Sequence, residues 1–283
     1  MSRARSAGGG QIVGIVLIAL LVMIAVLAPW LGGEAATRLD IAHGLTELGA
    51  PLPPSSEAWL GTDPLGRDVW ARIIAGAGST LWIAGAATVI ALLIGVAVGL
   101  AAGYAGGWVD EVLMRFVDLV LSFPFLLLAI LLAALLRERG FGDSDAPVIL
   151  TLGAVGWTTM ARVIRGKTAI LARSELVLAA QAIGASPWRI VTRHVLPNVA
   201  GLILVVVTLG FAQNLLAESV LSYLGLGPPP PAPTWGRMLY EGRPYYRSSP
   251  HLVIAPGVAI LVAVVAFNLL GEGLRSRFER SVR

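Results

Sequence analysis

Six apolar runs, each close to the length that crosses a bilayer, constrain this chain more than any other feature. About 20 apolar residues in helical form span a hydrocarbon core. The runs fall at about Gln11–Leu31, Thr80–Tyr104, Val112–Leu136, Ala146–Ile164, Val199–Leu224 and Leu252–Leu270. Within lipid a helix satisfies its own backbone groups, so each run is expected to be helical. The expected fold is all-α: a polytopic membrane protein with six transmembrane helices. Composition agrees, with 56% hydrophobic residues and 13% charged, about half the charged share of soluble domains. Mean hydropathy is +0.79.

The absence of cysteine excludes disulfides, thiol nucleophiles and cysteine metal sites. A net charge of only +4 gives little support to a nucleic-acid partner. The first run follows Arg3 and Arg5, as a signal peptide would. It is longer than a signal core and no small-x-small cleavage site follows directly, so it is read as a retained anchor.

Basic residues set the orientation, because they concentrate on the cytoplasmic side. With the N-terminus inside, 13 of the 21 Lys and Arg fall inside, from Arg3 and Arg5 to Arg280 and Arg283. Ten acids, Asp143 among them, fall in the outer segments. Both termini are therefore expected in the cytoplasm. The chain divides into an N-terminus with its anchor helix (1–31) and an extracytoplasmic loop (32–79). A five-helix core (80–273) and a cytoplasmic tail (274–283) follow. Within the outer loop, Asp68 to Ile74 is read as a short helix lying at the interface. No internal repeat, low-complexity tract or separate soluble domain stands out.

One polar insertion interrupts the core. Residues 165–198 form an inner loop, and its stretch 174–198 reads SELVLAAQAIGASPWRIVTRHVLPN. Ala172 to Ile183 has good helix formers, and Gly184 suits a left-handed helix end. Ser186 is a natural N-cap with Pro187 in the first turn behind it. The second helix is expected to run to Val195 and stop before Pro197. Leu176, Ala179, Ala180 and Ile183 share one face of the first helix, with the alanine pair permitting close approach by another surface. On the second, Arg189 and Arg193 form a basic stripe, and Trp188, Val191 and Val195 supply apolar contacts. Three readings compete: an ordinary basic loop, a DNA-binding helix-turn-helix, and a docking element for a cytoplasmic partner. Tethering to membrane at both ends, and few base-reading side chains, count against DNA.

The stretch resembles the EAA loop of ABC-importer permeases: Glu-Ala-Ala, three residues, Gly, nine residues, Ile-x-Leu-Pro. Ala179, Ala180, Gly184, Leu196 and Pro197 fall in register. Leu178 stands at the Glu place and His194 at the Ile place, while Glu175 lies one turn earlier. Other stretches resemble the dipeptide/oligopeptide/nickel branch, closest to the second permease of the pair. They are LGTDPLGRDVWARIIAGAGSTL (60–81), GLAAGYAGGWVDEVLMRFVDLVLSFPFLLLAI (99–130), RHVLPN (193–198), LSYLGLGPPPPAPTWGRMLYEGR (221–243) and APGVAILVAVVAFNLLGEGLR (255–275). Their order and spacing carry the resemblance over most of the chain after residue 60.

This resemblance implies a type I ABC-importer transmembrane domain in the bacterial cytoplasmic membrane. Its partners would be a second homologous permease, two cytoplasmic ATPases and an extracytoplasmic solute-binding protein. ATP and Mg would bind the ATPases, since this chain has no phosphate loop, and the chain itself would not be an enzyme. The implied coupling residues are Glu175, Leu178, Ala179, Ala180, Gly184, Ala185, Ser186, Pro187, Arg189, Arg193, His194, Leu196 and Pro197. The implied cargo is peptides or related small solutes, with nickel chelates as the alternative.

Within the apolar runs, Asn214 and Glu218 share a face of the fifth, beside Gln213. They are read either as a polar lining of the translocation path or as interhelical packing. A rival class, a proton-coupled secondary transporter, would use Glu218 as proton carrier. Outside, Asp63, Arg67 and Asp68 form a charged cluster that either receives the binding protein or caps a helix. Trp235, behind Pro228–Pro231 and Pro233, is read either as packing with them as a lid under the binding protein or as part of a stiff loop. Asp118 is expected to pair with Arg115. Gly99, Gly103, Gly106 and Gly107 are expected to permit close packing and a tight corner. His43, His194 and His251 are scattered, and no triad or metal site suggests itself.

Overall fold

In the computed structural model the described residues are 2–141 and 144–281, with side chains described for 9–141 and 144–278. Asp143 and Arg283, counted above for orientation, lie outside the described residues, as do the side chains of Arg3, Arg5 and Arg280. The described chain is helical throughout its spans: α1 (Ser2–Leu31), α2 (Val69–Ala105), α3 (Gly107–Leu121), α4 (Phe125–Leu136), α5 (Ala146–Ala172), α6 (Glu175–Ala182), α7 (Pro187–Ile190), α8 (Leu196–Tyr223), α9 (Trp235–Gly242) and α10 (His251–Ser281). Five of the expected spans are single helices long and apolar enough to cross a membrane. The sixth, formed by α3 and α4, is bent by 86°.

That bend corrects the expectation of one straight helix over 112–136. Pro124 lacks an N–H and disfavours helix at the residue before it. The chain between Leu121 and Phe125 therefore leaves the helix, and α4 restarts behind Pro124. The short interfacial helix expected at 68–74 is also corrected. Asp68 accepts a hydrogen bond from the Ala71 amide (3.0 Å) as the N-cap of α2. From there the helix runs unbroken through residues 69–79 into the span, because nothing in that stretch removes a backbone donor.

Small residues set how closely the helices approach. On α2, Gly95, Gly99 and Gly103 recur every fourth position and face α5. A Cβ at Gly99 would stand 2.8 Å from the Ala161 carbonyl oxygen and 2.8 Å from Ile164 Cβ. This is the small-residue packing that replaces the hydrophobic force where lipid surrounds the bundle. Gly106 (φ 63°) and Gly107 (φ 51°) turn the chain from α2 into α3. Two residues of the glycine set thus pack and two turn, as their positions suggested.

The stretch between α7 and α8 departs from the expected stop at Pro197. Val191–Val195 form a π-helical turn, and the Leu196 amide reaches the Val191 carbonyl. Pro197 then sits in the first turn of α8, where its missing N–H costs little. The path from Pro187 to Tyr223 is consequently one continuous helical rod.

Candidate functional site

The corner of the 174–198 loop is built as its residues suggested. Gly184 adopts φ +79°, a conformation that costs other L-residues roughly 1–2 kcal/mol. Its amide reaches the Gln181 carbonyl (2.9 Å), and the Ala185 amide reaches back to Ala180 (3.0 Å). Ser186 Oγ accepts from the Arg189 amide (3.4 Å) and opens α7.

The faces divide differently from the expectation. Val177, Ala180, Ile190 and Val195 are buried in one cluster with Leu100 of α2, Trp157 and Ile164 of α5, and Val199 of α8. Fully burying such an aliphatic side chain is worth about 1.5–3 kcal/mol, so this underside holds the corner on the helix ends. Leu176, Ala179 and Ile183 point outward, Ile183 at 86% exposure, and so does Trp188 at 77%. Of the alanine pair only Ala179 remains available to a partner. Glu175, Leu178, Ser186, Pro187, Arg189, Arg193 and Pro197 are exposed, whereas Ala185, His194 and Leu196 are half-buried. The result is an apolar knob ringed by arginines, with the Glu175 carboxylate one turn from Leu178.

Asn214 and Glu218 are brought together, but inside the chain's own packing. Asn214 donates to Thr88 Oγ1 of α2 (3.0 Å). Glu218 is 0% exposed and accepts from Ser222 Oγ (2.7 Å) and Ser219 Oγ (3.3 Å), with the Thr234 hydroxyl as a further donor. This favours the packing reading over the path-lining one. Interhelical bonds of this kind satisfy polar groups that lipid cannot.

At the opposite end, the residues expected on a docking surface form an enclosed ion network. Asp63 Oδ2 accepts from Arg67 Nε (2.6 Å) and from Arg72 Nη1. Glu241 on α9 accepts from Arg67 Nη2 (2.8 Å), lies 2.9 Å from Arg72 Nη1, and accepts from Arg237 Nε (2.9 Å). Asp63, Arg67 and Arg72 are all buried. Trp235 is buried too, and its indole donates to the Ile73 carbonyl (3.0 Å). Burial of Asp63, Arg67 and Trp235 favours a framework role over a docking surface: they tie the 32–68 segment and α2 to α9. Asp68 acts as a helix cap. Arg72, Arg237 and Glu241 were not singled out from sequence. An arginine inside an apolar run was the available signal.

Elsewhere, Asp118 pairs with Arg162 of α5 rather than with Arg115, which lies by Glu111 (3.5 Å). Asp110 pairs with Arg165. Arg137 reaches the Gly225 (3.0 Å) and Gly227 carbonyls, tying the end of α4 to the turn after α8. Outside the spans, the His43 backbone amide and ring hold the Asp40 carboxyl below its ordinary range. Partial burial holds Asp145 above it. Among the described residues no group of three His, Asp or Glu is gathered to hold a metal ion.

Residues 95–283 match the family described as "Binding-protein-dependent transport system inner membrane component". The chain is 37% identical over 271 residues to the oligopeptide transport system permease protein of Bacillus subtilis, covering 96% of this chain and 85% of that protein. It is 36% identical over 272 residues to the dipeptide transport system permease protein of Alkalihalophilus pseudofirmus, covering 96% and 86%. It is also 36% identical over 266 residues to the glutathione transport system permease protein of an Escherichia coli O6 strain, covering 94% and 84%. Among solved structures, an inward-facing MetNI methionine ABC transporter superposes with a TM-score of 0.60 at 20% identity, covering 76% of this chain and 97% of that one. That likeness concerns the fold.

Proposed function

This chain belongs to the family of inner membrane components of binding-protein-dependent transport systems, and on that premise we propose that it is a permease subunit of an ATP-driven importer of peptides. It is an integral, multi-pass protein of the inner membrane. It is a path-forming subunit and not a catalytic one. In this reading the termini and the 174–198 corner face the cytoplasm, in keeping with the basic residues gathered there. The partners are a second homologous permease, two ATPases that bind ATP and Mg, and an extracytoplasmic solute-binding protein. Peptide is the cargo by analogy with the named relatives, none of which carries nickel in its name.

The corner that is anchored on α5 and α8 while exposing a knob carries the proposal. Its underside is packed in one cluster with residues of α5 and α8, and α7 continues into α8 without a break. A partner that seats Ile183 and Trp188 and then moves takes α5 and α8 with it. The knob is apolar, as the anchor of a protein interface is, and Arg189 and Arg193 add a basic rim. Nucleotide-driven closure of the ATPases would be converted in this way into alternating access. The rival proton carrier finds no support at Glu218, which is enclosed by hydroxyl donors.

The test uses the assembled complex in proteoliposomes. ATP-dependent uptake of a labelled peptide is expected, and replacing Ile183 and Trp188 by Ser should release the ATPases and stop uptake. Uptake that survives ATP depletion while a proton gradient persists would overturn the reading.

A further inference from the structure

The exposed face of the α5·α8 pair separates polar side chains that line a path from those that merely pack. Most polar groups on the long helices turn inward: Thr80, Thr88, Thr151, Thr158, Thr208 and Asn214 are buried. Among the described uncharged polar residues on α2, α5, α8 and α10 more than two turns from a helix end, only Thr159 and Gln213 are exposed. Neither side chain has a hydrogen-bond partner among the described residues. Thr159 lies about 20 Å along α5 from Ala146, and Gln213 about 15 Å along α8 from Tyr223, at 1.5 Å per residue. Both are thus near the middle of a hydrocarbon core roughly 30 Å thick.

Their register places them together. The two helices run antiparallel, and their seam is marked by Gly156 against Asn214 and by Gly210 against Met160. Thr159 follows Gly156 by three residues, and Gln213 follows Gly210 by three. Equal offsets of the same sense on antiparallel helices fall on the same side of the seam. Three residues further along α5, Arg162 and its partner Asp118 are also exposed. Polar groups therefore recur along one line from mid-membrane toward the 174–198 end. By contrast, the exposed face of α10 carries Ile254, Val258, Leu261 and Val265, the chemistry of a lipid contact.

An unpaired amide against lipid tails is costly, so this stripe faces water or protein. A solitary packing contact needs no continuation, and this stripe has one. We propose that Thr159 and Gln213 line the translocation path and bind the peptide backbone of the cargo. A hydroxyl and a carboxamide each donate and accept, which suits amide groups irrespective of side chain. The exposed carboxylate on this stripe, Asp118, is already paired with Arg162. The proposal rests on the permease reading above and names the residues of its path.

The chain lacks cysteine, so an introduced thiol is the only one in this chain, and labelling is read on this chain alone. Thr159→Cys, Gln213→Cys and, on the exposed face of α10, Val258→Cys are placed in the assembled complex. Each is treated with a charged methanethiosulfonate ethyltrimethylammonium reagent and with lipid-soluble N-phenylmaleimide. The charged reagent is expected to modify the first two roughly tenfold faster than Val258→Cys, as for a thiol in water rather than hydrocarbon. Trapping with ATP and vanadate should change that rate. Modification only by the lipid-soluble reagent would place the face against lipid, and modification by neither would make it a packed interface. Either result in a complex that hydrolyses ATP overturns this assignment alone. A chain that fails to bind the ATPases overturns the permease reading and this one with it.

Discussion

Asp63→Asn is the cleanest perturbation of the network at the α9 end, because the two oxygens of Asp63 do different work. Oδ1 accepts from the Leu65 and Arg67 amides (2.9 and 3.0 Å) and shapes the turn. Oδ2 accepts from the Arg67 and Arg72 guanidinium groups. Asparagine keeps the volume but offers one acceptor and one donor. Whichever way the amide is turned, its NH₂ faces a set of donors, and Glu241 is left to balance Arg67, Arg72 and Arg237. Side-chain exposure is 7% at Arg67 and 2% at Arg72, so solvent cannot compensate the loss. Breaking such a buried pair costs about 3–5 kcal/mol. At 2–4 °C per kcal/mol for a chain approaching this size, the melting temperature should fall by roughly 6 °C or more. The assay is tryptophan-detected size-exclusion of the detergent-solubilised complex after heating. Glu47→Gln, at an exposed carboxylate, serves as control and should not shift it. Adding Arg72→Met to Asp63→Asn should recover part of the loss, because it removes the unpaired cation. The reasoning is refuted if Asp63→Asn melts with the control and instead weakens capture of the solute-binding protein. That pattern belongs to a docking surface.

Three other substitutions separate roles that the structure assigns. Gly184→Leu should insert normally but lose ATPase co-purification and uptake, while Gly184→Asn, which tolerates a left-handed backbone better, retains most of both; normal transport by Gly184→Leu would end the rigid-corner reading. Gly99→Leu should cost about 1–3 kcal/mol by forcing α2 from α5, whereas Gly257→Leu, with nothing within 4 Å of its Cβ position, should leave the melting temperature near that of the parent. Glu218→Gln should lower the melting temperature by leaving hydroxyl donors without an acceptor, at about 1–3 kcal/mol, with uptake per folded complex unchanged; abolished uptake at unchanged stability would return Glu218 to the path.

What the sequence disclosed and what it hid follow from the range of the interactions concerned. Length in apolar residues is a local property, so the spans were legible. So was the Gly184–Pro187 corner, where backbone conformation and capping act within a few residues. The bend at Pro124 was legible in principle, since a proline inside an apolar run is a local mark, but an unbroken hydropathy signal outweighed it. The ion network was not legible. Arg67 and Glu241 are separated by 174 positions, and no local rule pairs them. The face of α8 was hidden for a related reason. Gln213 and Asn214 differ by one residue, or 100° of rotation, and equally polar side chains point to opposite fates. Asn214 faces Thr88 and is consumed by packing, while the Gln213 side chain faces outward with no partner among the described residues. Only the placement of α2 and α5 around α8 decides which of the two is available to a solute. A polar residue in a membrane helix therefore announces that lipid is not its neighbour, and the neighbour must be read from the fold. On that ground the path is assigned to the residue without a partner, and Glu218, the most conspicuous charge in the run, is assigned to the frame that holds the path in shape.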